Sequence, residues 1–429
     1  MEEIKVGLIG WGTVGDSVAG LLTRQAELIF QKTGVRVRLA KLADVDLEKP
    51  REHPMDPGIL VQDYREILTD ESIRIVVELV GGTTVARTIL LEAMEKGKHV
   101  VTANKALLAE KGPEIFEMAR RKEVSIGFEA SVCGGIPLLH SIRRGLVGNR
   151  IHSVKGIVNG TTNFILSKMT QESWGYEDAL REAQARGFAE MEPSLDVEGW
   201  DACHKLVLLV LLAFRRSVSM DSVPREGITE ITPQDVSYAA ELGYVVKLLA
   251  EAKQGEHGIE MGVFPTLVPN HHPLAAVDGA YNAVEVVGDW VGTTLFYGLG
   301  AGGAATSSAI VSDIVSVAAR LSGKGGDDLS APTWNEQEPA LCPPNLCTSR
   351  FYLRFTGQDK PGVLGLLATF LGEEGISIGS VIQKEGGDVV PVVIMTHPAP
   401  AGSILKALRR IEALDVVKGK TAVLRALGD

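Results

Sequence analysis

Cysteine is scarce: four in 429 residues. So few thiols in so long a chain do not make a disulfide framework. Cys342 and Cys347, spaced CPPNLC, have no second pair and no nearby histidine, so a zinc site is not expected there. A long hydrophobic run is also missing. The longest uninterrupted one is LVLLVLLAF, Leu206 to Phe214, too short to span a bilayer and readable as a buried helix. The chain starts MEEIKVGLIG, acidic first and strand-like at once, so no signal peptide is expected. Excess positive charge is absent as well. The formal net charge is −11, which disfavours nucleic acid and anionic membranes as partners and favours solubility. These absences together point to the cytoplasm.

What remains is ordinary globular composition, 45% hydrophobic and 23% charged, in a chain long enough for two or three domains. The first 130 or so residues alternate strand-like and helix-like segments. KVGLIG, VRVRLAKLAD, IRIVVELVGG, KHVVTANK and EVSIGFEASV read as strands. A helix is expected from the first glycines to Lys32, and another in TVARTILLEAMEKG. This alternation implies a parallel sheet with helices on both faces.

From Arg150 the pattern mixes helices at 176–186 and 199–214 with strand-like HGIEMGVFPTLVP, NAVEVVGD and GTTLFYG. TPQD at Thr232 is a helix start. GLGAGGAATSSAI opens a helix to Leu321, and Ser322 to Cys347 has loop composition. The rest reads strand, helix, strand, strand, helix, strand, the ferredoxin-like plan. The expected fold class is α/β, with a Rossmann-like parallel-sheet domain, an α+β substrate and dimerisation domain, and a ferredoxin-like βαββαβ C-terminal domain. The expected boundaries are 1–149 plus 300–321, 150–299, a linker at 322–347, and 348–429.

GLIGWGTVG places Gly10, Gly12 and Gly15 in G-x-G-x-x-G spacing after a strand and before a helix. The first glycine permits the tight turn and the second lets a pyrophosphate approach the backbone. The third lets helix and strand pack closely. With Thr13 and Val14 these form the expected dinucleotide cradle. Asp44 or Asp46, in LADVD, would take ribose hydroxyls and favour NAD. The spacing exceeds the usual ~20 residues, however, so both NAD and NADP stay open.

GFAEMEPSLDVEGWDACHK, Gly187 to Lys205, crowds five carboxylates around one histidine and one lysine. A transition-metal cage would want more histidines than His204. A hydrolytic carboxylate pair fits poorly beside a dinucleotide domain. Asp201 and Lys205 are four apart at a helix start and share a face. The lysine would protonate a carbonyl oxygen as hydride arrives, with the acid aligning it and meeting a substrate amine or hydroxyl. A plain surface ion pair is the alternative.

The same stretch resembles the signature of homoserine dehydrogenases. GLIGWGTVG, VVTANKALLA, FEASVCGGIP, NGTTNFIL and GLGAGGAATSSAI match in the family's order over residues 1–321. The tail TGQDKPGVLG…ISIGSVIQK looks like an ACT regulatory domain. No aspartokinase segment precedes the match, so the chain resembles the monofunctional form. It departs at Glu192, where the family usually has Asp, and at Cys133, where many members have glycine.

The resemblance implies roles for individual residues. Lys205 would be the general acid/base. Asp201 would hold the substrate and the lysine, and Glu190 the substrate amino group. Lys105 would serve both cofactor and substrate, and Gly187 and Gly302 would lie at the cofactor. Glu129, Val132, Gly134 and Ile136 match a monovalent-cation site, usually sodium, made mainly of main-chain oxygens. Asp359, Gly362, Val363 and Leu364 would form the effector edge, with threonine the natural effector.

The implied reaction is reversible NAD(P)H-dependent reduction of L-aspartate 4-semialdehyde to L-homoserine, in a homodimer or a tetramer formed through ACT domains. The rival readings are another amino-acid semialdehyde or hydroxy-acid dehydrogenase, which Glu190 disfavours, and a nucleotide-binding sensor without catalysis.

Overall fold

The computed structural model describes residues 3–326, 329–335, 339–384 and 386–428. Positions 327–328 and 336–338 of the expected linker lie outside the described residues. The chain divides into two compact units. One comprises 1–151, 204–222 and 288–336, the other 152–203, 223–287 and 337–429.

The first unit is built on a parallel sheet of β1 (Glu3–Ile9), β2 (Arg36–Ala43), β3 (Leu60–Val61), β4 (Ile73–Glu78), β5 (His99–Thr102) and β6 (Ile126–Gly127). The strands lie in the order β3-β2-β1-β4-β5-β6, the doubly wound arrangement. The reversal of order beside β1 leaves a crevice at the carboxyl ends of the strands. Val6, Gly7, Leu8 and Ile9 of β1 are buried in succession, as a strand covered on both faces requires.

The single helix expected up to Lys32 is two, Thr13–Arg24 and Ala26–Thr33, broken at Gln25. Asp16 in the first turn explains the firm placement of the first helix. Its carboxylate accepts from the Trp11 indole at 3.1 Å and pairs with His53 at 2.9 Å. The strand expected over EVSIGFEASV shrinks to two residues, because the Glu129 N–H turns away to the Asp313 carboxylate at 2.9 Å.

Helix Gly303–Leu321 is long and apolar enough, by length and composition, to cross a membrane. Here its apolar side joins the core of the first unit, with Ile310, Ile314 and Val317 packed in one cluster with Val18, Ala19 and Leu22. Segment 329–335 is irregular but tacked down: the Ile126 N–H donates to the Leu329 carbonyl, and Trp334 lies edge-on to Phe116.

The second unit contains β7 (Ile151–Ile157), β8 (Tyr244–Gly255), β9 (Gly258–Pro269) and β10 (Tyr281–Gly288). Strand β11 (Gly292–Leu299) follows and groups with the first unit. The second unit continues with β12 (Thr348–Gln358), β13 (Ile378–Gln383), β14 (Val389–Thr396), β15 (Ala399–Pro400) and β16 (Ala422–Ala426). β10, β7, β8 and β9 are neighbours, and the sheet continues through β16, β12 and β14 to β13.

Strands β12, β13, β14 and β16, with helices Val363–Glu373 and Ala401–Ile411, are the ferredoxin-like plan. Their own core includes Phe351, Leu353, Phe355, Leu367, Leu371 and Ile404. β16 pairs in parallel with β9, Arg425 opposite Thr266. A buried ion pair reinforces this docking. Arg354 grips the Asp235 carboxylate through bonds of 2.6 and 2.9 Å, and the Tyr352 hydroxyl adds a third at 3.1 Å. Asp235 also closes the capping box of helix Pro233–Glu241 with Thr232, the helix start expected there.

Candidate functional site

In the first unit β1 ends at the glycine turn. Gly10 has φ +103°, and a Cβ on it would lie 2.6 Å from the Leu79 carbonyl, so only glycine fits. A Cβ on Gly15 would strike the Gly10 carbonyl oxygen, so helix Thr13–Arg24 packs hard against the turn. Gly12 is different: it caps that helix and has nothing within 4 Å of its side-chain position. The space is open where a phosphate would approach the helix N-terminus.

Helix Gly303–Leu321 starts beside it. A Cβ on Gly303 would lie 3.4 Å from the Thr13 carbonyl, and Gly302, at φ +112°, faces open space. Two helix N-termini therefore converge on the turn.

Asp44 stands just past β2. Its carboxylate accepts the Trp11 N–H at 2.6 Å and the Asp46 N–H at 2.9 Å. Asp46 itself caps the next turn by accepting from Glu48 and Lys49. Arg51, which sequence reasoning missed, lies over the Trp11 ring at 4.8 Å with a guanidinium nitrogen 4.0 Å from Asp44. An acid and a guanidinium thus stand together at the carboxyl end of β2.

On the other side of the turn is a cavity of about 230 Å³ lined by Val14, Glu78, Leu79, Gly81, Asn104 and Lys105, among others. Its floor is a hydrogen-bond relay also unread from the sequence. The Glu78 carboxylate accepts from Val80 N–H at 2.8 Å, Gly81 N–H at 3.2 Å and the Thr102 hydroxyl at 2.7 Å. Thr102 accepts the Asn104 N–H, and the Asn104 side chain caps the helix that Lys105 begins. Burial raises the Glu78 carboxyl above the usual range despite these bonds. A carboxylate closing the IRIVVE strand, apolar but for the exposed Arg74, was the available signal.

The proposed cation segment also lies in this unit. Glu129 is buried, and its carboxylate accepts the N–H groups of Leu139 at 2.9 Å and His140 at 2.7 Å. Burial pushes its carboxyl up to about 7, with His140 pulling it down and Asp313 adding to the rise. The side chain is thus committed to capping, and the Glu129 carbonyl would be the ligand. The Ile136 carbonyl already accepts the Leu138 N–H at 2.7 Å, and a carbonyl has a second lone pair for a cation. Val132 is buried, Gly134 donates its N–H to the Gly300 carbonyl, and Cys133 takes the left-handed φ of +51° that glycine would adopt freely.

In the second unit, Gly187 follows helix Tyr176–Ala185 at φ +73°, and Glu190 is exposed in the loop beyond. The Thr161 hydroxyl holds that loop through the Phe188 carbonyl at 2.6 Å. Helix Trp200–Phe214 is shared out between the units, with Asp201 counted in the second and Lys205, one turn on, in the first; both are buried, at 6% exposure each. That burial rules out the plain surface ion pair. Asn159, unassigned from sequence, donates to the Asp201 carboxylate at 2.9 Å.

In the C-terminal plan, Asp359 accepts from Gln383 at 3.3 Å, and Gly362, at φ +91°, caps helix Val363–Glu373. Val363 is buried and Leu364 exposed, so of this pair only Leu364 presents its side chain outward.

A glycine cradle under two helix N-termini, with a buried lysine and acid elsewhere in the chain, is the equipment of a nucleotide-dependent dehydrogenase. Three family models match: the homoserine dehydrogenase NAD-binding domain over residues 10–129, homoserine dehydrogenase over 137–315, and the ACT domain over 351–413. Homoserine dehydrogenases of Pseudomonas aeruginosa and Neisseria gonorrhoeae are 43% and 42% identical, with 99% of each chain covered. The crystal structure of a homoserine dehydrogenase from Thiobacillus denitrificans superposes with a TM-score of 0.94 at 41% identity, covering 99% of this chain and 98% of that one. The chain belongs to the homoserine dehydrogenase family and is an oxidoreductase with an NAD-binding domain and a C-terminal ACT domain.

Proposed function

We propose that the protein is a cytoplasmic enzyme of threonine, methionine and isoleucine biosynthesis. It reversibly reduces L-aspartate 4-semialdehyde to L-homoserine with NADH or NADPH. The reading is carried by the buried Asp201 and Lys205, one turn apart on one helix. A reduced nicotinamide held at the glycine turn of Gly10, Gly12 and Gly15 would supply the hydride for the aldehyde carbon. Lys205 gives its proton to the carbonyl oxygen in reduction and, neutral, takes it back in oxidation. A free lysine has a pKa of ~10.4, so oxidation speeds up as pH rises. Asp201 orients the substrate and the lysine, and Glu190 meets the substrate ammonium. Gly10, Gly12, Thr13, Val14, Gly15, Asp44, Lys105, Gly187 and Gly302 serve the cofactor, and Lys105 also reaches the substrate. Sodium is the cation for the carbonyls of Glu129, Val132, Gly134 and Ile136; a hard cation suits oxygen ligands.

The division into 1–149 plus 300–321, 150–299, a linker at 322–347 and 348–429 is the functional one. The exposed Leu295, Tyr297 and Leu299 of β11 support assembly with a second copy. The ACT domain takes threonine at the edge formed by Asp359, Gly362, Val363 and Leu364. One assay tests both parts. Nicotinamide absorbance should fall on adding aspartate semialdehyde, faster with one reduced cofactor than the other. L-threonine should slow the wild type and leave Asp359→Ala unaffected. An inactive protein in that assay sinks the first part, and equal inhibition of both proteins the second.

A further inference from the structure

We infer that Asn159 is a positioning residue that fixes the substrate carboxylate Asp201 through the amide of a helix cap; the inference rests on the role proposed for Asp201. Asn159 is 4% exposed and caps helix Gly160–Glu172. Its Oδ1 accepts the Thr162 N–H at 2.8 Å and the Thr162 hydroxyl at 3.0 Å. Its Nδ2 donates to Asp201 Oδ2 at 2.9 Å and to Asp196 Oδ1 at 2.7 Å. The amide can face only one way: a backbone N–H needs the oxygen, and two carboxylates need the two N–H groups.

The helix that sets this amide is itself pinned. Asn163 donates to the carbonyls of Val277 at 3.0 Å, Gly279 at 2.8 Å and Tyr281 at 3.2 Å, and accepts from the buried Lys247 at 3.3 Å. Lys247 also donates to the Val277 carbonyl at 2.6 Å. Because the cap fixes the plane of the Asn159 amide, it fixes the direction of each N–H, and with it one oxygen of Asp201. A buried carboxylate needs such donors to remain charged. A neutral side chain with two donors and one acceptor is the requirement at 159, and asparagine meets it at the length available. The NGTTN stretch thereby gains a purpose beyond starting a helix: it connects the β7–helix junction to the reacting end of the Trp200–Phe214 helix.

The cap and the donation separate by substitution, since Ser and Asp are good N-caps yet cannot supply the two amide donors. Asn159→Ser and Asn159→Asp are compared with wild type for kcat, for KM of homoserine and of cofactor, and for melting temperature. Both should hold the cofactor KM while kcat/KM for homoserine falls ~10-fold to ~100-fold, as for a misplaced reacting group. Asn159→Asp should be the worse, because it sets a third carboxylate against two. Asp201→Asn, and that change combined with Asn159→Ser, complete a cycle. The double variant should be no slower than Asp201→Asn alone, because the donor has lost the group it positions.

If Asp201→Asn is impaired but Asn159→Ser keeps wild-type homoserine kinetics, the inference is overturned and the role of Asp201 stands. If both single changes impair and their losses multiply in the double variant, Asn159 acts independently of Asp201 and the inference is again overturned. If Asp201→Asn is itself wild-type, the role of Asp201 falls and the inference with it. Should Asn159→Asp fail to fold, the Asn159→Ser cycle alone decides.

Discussion

The glycine turn after β1 and the acidic start of helix Trp200–Phe214 present different atoms. At Gly10, Gly12 and Gly15 the backbone is presented and side chains are absent. At Asn159, Asp201 and Lys205 polar side chains take that place, and each is buried. At Gly10 and Gly15 the first design tolerates little because a single methyl collides with backbone. The second tolerates little because each group is hydrogen-bonded or charged in a dry setting, where a lost partner costs more than in water. Substitutions in the turn should therefore strike cofactor binding or folding, and substitutions at the helix should strike turnover.

The sharpest break is Lys205→Ala. It should lose ~10²-fold or more in turnover while cofactor titration matches wild type. Wild-type turnover would remove the lysine from the chemistry and erase the contrast. A smaller effect on turnover is expected from Gly12→Ala. Its Cβ enters open space, so the melting temperature should hold while cofactor affinity weakens ~10-fold, equivalent to about 1.4 kcal/mol. Gly15→Ala should instead lower the melting temperature, since its Cβ strikes backbone. If both lose stability equally, Gly12 is structural and the phosphate reading fails.

Turnover should respond least to Arg354→Met, which touches neither region. It should cost about 3–5 kcal/mol of stability in denaturant unfolding, because Asp235 is left buried without its cation. Burial raises the Asp235 carboxyl, but the Arg354 and Thr232 hydrogen bonds and the Arg354 charge outweigh it, so its pKa lies below the usual value. A depressed carboxylate stabilises above its unfolded pKa of ~3.9 and loses that contribution as pH falls through the folded value. The gap in melting temperature between wild type and variant should therefore narrow below about pH 4. A gap constant down to pH 2 would mean the pair contributes packing rather than charge.

Much of the first unit was legible because local rules and tertiary outcome agree. Apolar runs separated by helical patterns gave the parallel sheet, and the glycine spacing gave the turn. Thr232 and Asp235 announced their helix. Legibility failed where tertiary contacts overrode local preference. YVVKLLAEAKQG of β8 is rich in helix formers, yet it is a strand because it pairs along its whole length with β9. IHSVKGI of β7 has too little apolar alternation to be read alone and is a strand through its pairing with β8. The first helix breaks at Gln25 without glycine or proline to announce it.

By itself the sequence determined the glycine turn, the lysine and acid one helical turn apart, and the βαββαβ tail. Each follows from a spacing of a few residues that geometry turns directly into a shape. Only the tertiary structure decided that Asn159 donates to Asp201, that Glu78 supports the loop before Lys105, and that Arg354 meets Asp235. These pairs are separated by 24 to 119 residues in the chain, and no local spacing encodes which distant polar groups burial brings into contact. Burial then requires each of them to find a partner.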